Sequence, residues 1–547
     1  MMDMPNLDAA ARLAIRERLY ACAWALDIGH AMSTAVFGAS GFVPETVIDA
    51  TTDEWPRWDL VGYAAFHGAF SFTLEIASRD DGAIVVLEAA MRAALAYAAQ
   101  HRTALVRDQA RLLAGGLLRG ESAPSSPDGA GAFLIPADLS HQADRHEAAA
   151  LVNLLLRNGV AVERALATAE DEGVAAGDYI VRLDQPKGAL AATLLWTPGA
   201  DRSMDERRAT SGWSLPLAWG VACRRLPRPP DVSARALGLA PMPLGLVSPG
   251  PAVAYAWTPD SNAAIIAANA TLRAGASLFR LSRRWTDGER TFPPGTFVLA
   301  DDAPLGRALA LASEYGVVLY PLTVLPQGLE RLRRPLIAAH GDPAAALVLR
   351  ELGFDVTTVT TEELGVGRTL DAYDVLVVSG GAPLWPRLSD GARQALWEYA
   401  RRGGAIVGLG YAGSDLAIAL GLADIDPTVT ASNFSGMAQI VCDADDPIVG
   451  SYAGATPVLV RAPVWYTFLG EGATGLATYS PAAPLVTGYW PLWDDINPAG
   501  QATIVRLSGT EGGITLFGFD PTDAAYGRGA FRLLAQAIYH PLPDAGP

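Results

Sequence analysis

The sequence predicts a multidomain α/β protein, and three patterns in the chain lead to that fold class. Apolar strands alternate with helices between residues 336 and 409, and two similar strand-helix-strand segments flank a proline-rich connection at 226–251. In addition, an apolar strand at residues 70–76 precedes a segment with helical composition. Alternation of apolar strands with helices indicates parallel strands that are covered on both faces.

Length and composition are those of a globular protein with several cores. The chain has 547 residues, of which 50% are hydrophobic and 18% charged, so that three or four domains are expected. The net charge of -17 argues against nucleic acid or an anionic membrane as partner, because both attract basic surfaces. No apolar run approaches the ~18 uninterrupted residues of a membrane span, so no membrane partner is expected. The start of the chain lacks the features of a signal peptide, but the localisation stays unknown if a longer protein precedes it.

Segments rich in turn-forming residues, 121–131 and 226–251, divide the chain. We assign four units to it, at 1–120, 132–226, 252–334 and 335–547, with an insertion of irregular or β structure at about 423–501.

The two middle units have matching element orders. In the first, a helix at 147–158 ends before Gly159 and precedes strands at 160–164 and 177–182; in the second, a helix at 262–274 ends before Gly275 and precedes strands at 276–280 and 295–299. Glycine directly after a helix is typical of a C-terminal cap. The pattern predicts two similar β-α-β modules that pack as a pair.

The last unit is predicted to be a doubly wound parallel sheet. Strands are expected at 336–340, 355–359, 373–379 and 404–409, with helices at 343–352 and 389–402 between them and a final strand and helix in 512–539. Ligands of such sheets bind beyond the carboxyl ends of the strands. Asp415 and Asp520 lie at predicted strand ends, where helix capping is the simplest interpretation.

The strand at 70–76 carries one carboxylate, Glu75, on the same face as Ser71 and Thr73. The stretch from His67 to Gly82 resembles the strand of zinc carboxypeptidases that ends in their catalytic glutamate, with a closing helix expected from about Ala83 to Gln100. The resemblance implies that Glu75 is the general base that activates a zinc-bound water. It also suggests Tyr63 as a substrate-binding residue, although an ordinary buried tyrosine is the simpler alternative.

The zinc-binding motif of that family, a His-x-x-Glu pair followed by a later His, is absent from this sequence. None of the seven histidines is followed by a glutamate three residues later, so no metal site and no cofactor are assigned to this chain, although zinc is expected in full-length relatives. We interpret the chain as beginning inside a carboxypeptidase-like domain whose N-terminal portion is missing, and we expect it to be inactive alone.

Two glycine motifs in the last unit, Ser379-Gly380-Gly381-Ala382-Pro383 and Gly408-Leu409-Gly410-Tyr411-Ala412, resemble class I glutamine amidotransferases. In that family the first glycine pair helps to shape the oxyanion hole and the second motif presents a nucleophilic cysteine. Gly410 stands at the position of the cysteine, so the resemblance implies a degenerate site without glutamine hydrolysis, and Tyr411 cannot replace the nucleophile without a general base.

Two functions remain open from the sequence. The chain is either a metallocarboxypeptidase-like protein without its metal-binding half, or a noncatalytic binding or interaction protein that uses the degenerate amidotransferase-like domain. The expected partner in both cases is a peptide or a small molecule.

Overall fold

The computed structural model describes residues 81–118, 131–195, 214–301, 304–366, 369–430, 435–452, 454–489, 497–508 and 512–539, together with single positions between 28 and 69. Its fold class is α/β, as the sequence predicts. The predicted strand at 70–76, which includes Glu75, and the predicted substrate residue Tyr63 lie outside the described residues.

Two consecutive helices, α1 (Asp81–Gln100) and α2 (Arg102–Leu118), precede the first sheet. A helix is therefore present where the sequence predicts one, from about Ala83 to Gln100. By length and composition alone, helix α1 could cross a membrane, although a helix in a protein core can have the same length and composition. Of its most apolar 18-residue segment, 11% is buried. Several of its large side chains are exposed, among them Ile84, Met91 and Leu95 at 63%, 60% and 69%.

The first repeat contains five strands. Its elements in chain order are β1 (Ala132–Ile135), α3 (Arg145–Arg157), β2 (Glu163–Ala165), β3 (Tyr179–Arg182), α4 (Gly188–Leu195), α5 (Leu215–Trp219), β4 (Arg224–Leu226) and β5 (Ala234–Ala236). The strand order is β4-β1-β3-β2-β5, and every neighbouring pair is antiparallel.

The second repeat has the same topology, with one further edge strand. Its elements are β6 (Leu246–Val247), β7 (Ala254–Trp257), α6 (Asn262–Arg273), β8 (Leu278–Leu281), the hairpin β9 (Trp285–Asp287) and β10 (Arg290–Phe292), β11 (Phe297–Leu299), α7 (Pro304–Tyr315), β12 (Val318–Leu322) and β13 (Leu329–Arg331). The order β13-β8-β11-β7-β12-β6 places β7, β8, β11, β12 and β13 where the first repeat has β1, β2, β3, β4 and β5.

The prediction of two matching modules is confirmed in its order, but their description as β-α-β units is incomplete. Strands β1 and β2 run in the same direction without touching, because the later strand β3 pairs antiparallel with both of them. Strand β11 lies between β7 and β8 in the same way. The predicted C-caps are confirmed, since Gly159 and Gly275 have φ angles of 78° and 73° in the left-handed region.

The last unit continues with β14 (Leu336–His340), α8 (Pro343–Glu351), β15 (Asp355–Thr358), α9 (Thr361–Leu364), β16 (Val375–Ser379), α10 (Asp390–Arg401), β17 (Ala405–Leu409) and α11 (Tyr411–Ala419). Then follow β18 (Ile425–Val429), β19 (Ser435–Cys442), β20 (Gly454–Arg461), β21 (Val464–Leu469), β22 (Ala473–Tyr479), β23 (Leu485–Tyr489), β24 (Ala502–Leu507), β25 (Ile514–Phe517) and α12 (Phe531–Tyr539). Strands β15-β14-β16-β17-β25 form the predicted parallel sheet in this order.

The predicted insertion at about 423–501 is β structure that extends the parallel sheet. Strand β24 pairs antiparallel with β25 and carries the sheet on to β22, β19 and β20. The unit therefore contains one mixed sheet. Its apolar residues form two large buried clusters, one on each face of the parallel strands, as the doubly wound pattern requires.

A buried polar contact, which we call the Arg528 junction, joins the two repeats to the last unit. Its members are Glu147 at the start of α3, Asn262 at the start of α6, Glu351 at the end of α8, and Arg528. The Nη2 atom of Arg528 donates to Glu147 Oε1 at 3.0 Å and to Glu351 Oε1 at 2.6 Å, while Asn262 Nδ2 donates to Glu147 Oε1 at 2.9 Å. Burial raises the pKa of Glu147, and the hydrogen bonds from Arg528 oppose that rise.

The N-terminal ends of helices α3 and α6 also meet at one carboxylate. Asp144 accepts hydrogen bonds from the backbone N–H groups of His146 and Glu147, both at 3.0 Å, and thereby caps α3. Its second oxygen accepts from the backbone N–H of Asn262 at 3.3 Å. The corresponding helices of the two repeats therefore share a capping group.

Candidate functional site

The candidate site lies where the strands β14, β16, β17 and β25 end. Because these strands are parallel, their carboxyl ends meet at one edge of the sheet. We call this region the strand-end edge and define it by Asp342, Ser379, Gly380, Gly410 and Asp520. The structure therefore brings the two glycine motifs of the sequence together.

Gly410 forms a tight turn between β17 and α11. Its φ of 66° and ψ of -158° are unfavourable for residues with a side chain, and its N–H donates to the carbonyl of Phe517 at 2.9 Å. A Cβ atom on Gly410 would lie 2.9 Å from the carbonyl oxygen of Gly380. The backbone thus resembles an elbow, but a side chain at position 410 would contact the Gly380 carbonyl too closely.

The Gly380 carbonyl is held in this place by the next helix. It accepts a hydrogen bond from the N–H of Ala412, in the first turn of α11, at 2.9 Å, and the N–H of Gly380 donates to the Leu409 carbonyl at 3.2 Å. Gly380 has a φ of 145°, in the range that favours glycine, whereas Gly381 has no positive φ. A Cβ on Gly381 would find no atom within 4 Å, so the backbone requires a glycine only at position 380 of this pair.

Tyr411 is the first residue of α11 and is half-buried against an apolar cluster that also contacts Trp385. The adjoining loop is fixed by Asp415, whose Oδ2 atom accepts from the N–H groups of Leu384 and Trp385 at 2.8 Å and 2.7 Å. The capping interpretation of Asp415 is therefore wrong, because this residue lies inside α11 and its carboxylate holds the neighbouring loop instead of a helix end.

The hydroxyl and imidazole groups nearest the edge have structural partners. Ser379 is 4% exposed, and its Oγ accepts from the N–H of Asp342 at 2.7 Å and donates to the His340 carbonyl at 3.4 Å. The His340 ring is directed elsewhere, with Nδ1 3.0 Å from the Val359 carbonyl. These contacts do not form a nucleophile and base pair.

The two described thiols are also unsuited to nucleophilic catalysis. Burial raises the pKa of both Cys223 and Cys442 to about 12, so both are protonated at neutral pH. Within the described ranges, the strand-end edge thus offers no activated nucleophile for acyl transfer.

Asp520 is a titratable group of the strand-end edge, whereas the sequence analysis interpreted it as a helix cap. It does not cap a helix: its Oδ1 accepts from the N–H and the hydroxyl of Thr522, at 2.8 Å and 2.5 Å. Burial, together with the charges of Asp523 and Asp342, raises the pKa of Asp520 to about 6 despite these hydrogen bonds. The available signal was a carboxylate directly after the last parallel strand.

The loop that follows Asp520 contains unusual backbone. Ala524 and Ala525 have φ angles of 51° and 53°, which cost an alanine roughly 1 kcal/mol each. An ion pair of 3.2 Å between Arg461 Nε and Asp523 Oδ2 anchors the same loop to β20. The conformation is therefore imposed by tertiary contacts.

The carboxypeptidase-like site cannot be built from the described positions. His67 is described, and its Nδ1 atom lies 3.1 Å from Lys187 Nζ at the start of α4; burial and the Lys187 charge lower the pKa of His67. Among the described residues, no three His, Cys, Asp or Glu side chains are placed to hold a metal ion. The role of Glu75 stays a prediction.

No protein-family model and no curated protein sequence matches the chain. Solved structures similar to it include a glutamine amidotransferase from Thermotoga maritima, with 13% identity and a TM-score of 0.28 over 38% of this chain and 99% of that chain. A ThuA-like protein from Bacteroides uniformis has 14% identity and a TM-score of 0.28, over 37% and 89% of the two chains. A β-galactosidase from Bacillus circulans has 13% identity and a TM-score of 0.27, over 38% and 31%.

Likenesses at this level carry no function to this chain, and none of the three structures is a carboxypeptidase. The parallel strands of the last unit have the order β15-β14-β16-β17-β25. Numbered along the chain, this is 2-1-3-4-5, which is the flavodoxin-like order of doubly wound sheets.

Proposed function

We propose that this chain is a noncatalytic binding protein and that the last unit engages a peptide or a small molecule at the strand-end edge. The observation that carries the proposal is the 2.9 Å distance between the Gly380 carbonyl oxygen and the position of a Cβ on Gly410. Real side chains do not accept such a contact with backbone, so a nucleophile at this elbow requires the Gly380 loop to move.

The surroundings of the elbow support the same proposal. The Gly380 carbonyl is bonded to the N–H of Ala412, and the Ser379 hydroxyl is bonded to backbone on both sides. By contrast, the space next to Gly381 is open. Parallel sheets of this type bind ligands at that edge irrespective of the chemistry that follows.

The catalytic part of the proposal is tested by ammonia release from glutamine. We expect no release above a buffer control from the purified chain, and none from Gly410→Cys, which should also unfold at a lower temperature than the wild type. Ammonia release that is proportional to protein concentration in either protein would overturn the proposal.

The binding part is tested by obstructing the edge. Small molecules and peptides that raise the melting temperature of the wild type are titrated against Gly381→Trp, whose added side chain enters open space and should not disturb the fold. The matched control is Gly306→Trp on α7, where a Cβ also meets no atom within 4 Å. Ligands of the strand-end edge lose affinity only in Gly381→Trp. Equal affinity of every ligand for both variants contradicts this location.

Peptide hydrolysis through Glu75 is the second candidate function, and it rests on the sequence between His67 and Gly82 alone. A metal-dependent activity requires ligands that the sequence of this chain does not supply in the family's spacing. The zinc content of the purified chain distinguishes the two candidates.

A further inference from the structure

Helix α1 carries a row of large apolar side chains on its solvent side, and we call it the α1 row. Its members follow one another at intervals of three or four residues, as neighbours on one face of a helix do, and are Ile84, Leu87, Met91 and Leu95. Their exposed fractions are 63%, 37%, 60% and 69%, respectively. A contiguous exposed apolar patch on a folded protein is typical of a surface that meets a partner.

Another face of α1 already has its partner within the chain. Ala90 is fully buried in a small apolar cluster with Ile28, Met32 and Val36, and Tyr97 packs against the same cluster. Successive residues of an α-helix are about 100° apart around the axis, so the α1 row lies on a different side of the helix from Ala90. The contacts of Ala90 therefore leave the α1 row exposed.

Two opposite charges stand beside the α1 row, close to the middle of the helix. Arg92 Nη2 lies 2.6 Å from Glu88 Oε1, and these side chains are 79% and 58% exposed. Charged side chains near the centre of a membrane span are costly, so this pair disfavours insertion of α1 into a membrane, although its length and composition permit it. Beside a second helix, by contrast, both charges can stay at the rim of the contact in water.

A second copy of α1 matches this pattern when it runs antiparallel to the first. The position midway between Glu88 and Arg92 is Ala90, which is also near the middle of the helix, so a two-fold axis there places Glu88 of each copy beside Arg92 of the other. In the same register, Met91 of one copy lies between Leu87 and Met91 of the other, about 3 Å from each along the axis. The apolar side chains therefore interdigitate, and the charges of the rim are complementary.

We propose that the chain forms a homodimer in which the α1 rows of two copies pack antiparallel. The chain has a net charge of -17, which opposes self-association of its acidic surfaces. Helix α1 carries only Asp81, Glu88 and Arg92 as charged residues, so repulsion between two copies is small at this contact. The dimer is independent of the strand-end edge, and either proposal can fail alone.

The experiment is sedimentation velocity of the full chain between about 1 and 100 μM, a range in which a moderately stable dimer dissociates on dilution. We expect a species of about twice the 57.4 kDa of the chain at the higher concentrations. A monomer at every concentration would overturn the proposal. If that monomer also floats with vesicles of phosphatidylcholine, the partner of α1 is a membrane.

A carboxylate in the α1 row locates the contact. Met91→Glu should raise the dissociation constant of the dimer at least tenfold, because the contact would bury an unpaired charge. Leu309→Glu is the matched control, since Leu309 is 53% exposed on α7, and it should leave the constant unchanged. Circular dichroism checks that both variants are folded. A dimer that Met91→Glu does not weaken forms through another surface and refutes the assignment.

Charge reversal tests the register of the two copies. Glu88→Arg and Arg92→Glu each place like charges beside one another across the two-fold axis, so each variant alone should dimerise at least about fivefold more weakly than wild type. An equimolar mixture of the two variants should dimerise nearly as well as wild type, because opposite charges meet again. A defect in folding cannot be corrected by mixing. A mixture that dimerises no better than the separate variants contradicts the proposed pairing.

Discussion

Replacement of Arg528 by methionine should destabilise the protein more than the loss of any exposed ion pair. The side chain of Glu147 is 4% exposed, and Arg528 is the cation that neutralises it. Removing one partner of a buried ion pair costs about 3–5 kcal/mol, since the other charge stays buried without compensation. The bond from Arg528 to Glu351, whose side chain is 41% exposed, adds about 0–1 kcal/mol.

The cost should depend on pH in a definite direction. In Arg528→Met the burial of Glu147 raises its pKa without the opposing hydrogen bonds and charge of Arg528, so the folded variant binds a proton more readily than the unfolded chain. A raised folded pKa gives stability that is complete below the unfolded pKa and is lost as pH rises through the folded value. The variant should therefore lose more stability relative to wild type at about pH 7.5 than at about pH 5.

The assay is urea denaturation of the full chain, followed by far-UV circular dichroism at both pH values. Arg284→Met is the matched control, because Arg284 and its partner Asp445 are exposed at 48% and 78%. The double variant Glu147→Gln/Arg528→Met should recover most of the stability, since it removes both charges of this buried pair. The reasoning is refuted if Arg528→Met costs no more than Arg284→Met at the higher pH, or if the cost does not shrink at the lower pH.

Three further outcomes are expected. Gly410→Ala should lower the free energy of unfolding by about 1 kcal/mol or more, because of its positive φ and the nearby Gly380 carbonyl; a neutral effect in urea denaturation contradicts the described elbow. Between about pH 4 and pH 6 the free energy of unfolding of the wild type should fall by up to about 3 kcal/mol relative to that of Asp520→Asn. The reason is that a carboxyl group with a raised pKa stabilises the fold only while it is protonated. Stability curves of the two proteins that run parallel over this pH range would contradict the prediction. The purified chain should hold no stoichiometric zinc, which elemental analysis checks, and one tightly bound zinc per chain would require ligands outside the described residues.

Local patterns in the sequence were reliable predictors of the elements. In the last unit, β14 begins and ends at the predicted residues, and β16 and β17 agree with their predicted bounds within about two residues. These strands were predictable because a buried parallel strand is a continuous apolar segment. Gly159 and Gly275 marked the ends of α3 and α6, since only glycine adopts the left-handed cap without strain.

Pairing between distant strands could not be predicted in the same way. Strand β3 lies between β1 and β2 although it follows them in the chain, and no local signal specifies this order. The insertion was expected to be irregular or β structure, but its sequence did not indicate that its strands β22 and β19 would join the sheet through β24, which pairs with β25. These contacts depend on which apolar faces meet in the folded chain, and that is decided by the tertiary structure.

The Arg528 junction has no sequence signature for the same reason. Glu147, Asn262 and Glu351 come from three units, and Arg528 lies 177 residues or more from either carboxylate. A lone charged residue at the start or end of a helix is normally exposed. Its burial becomes evident only when the two repeats and the last unit are placed together.

At the turn around Gly410, a nucleophile would need more than the addition of one side chain. A cysteine at position 410 would need both a positive φ and removal of the Gly380 carbonyl from its Cβ. That carbonyl is bonded to the first turn of α11, so moving it leaves the N–H of Ala412 without its partner. A side chain at position 410 thus requires coordinated changes around Gly380, Gly410 and α11, whereas the proposed binding at the same edge requires none of them. The backbone of the strand-end edge is therefore compatible with the proposed role in binding.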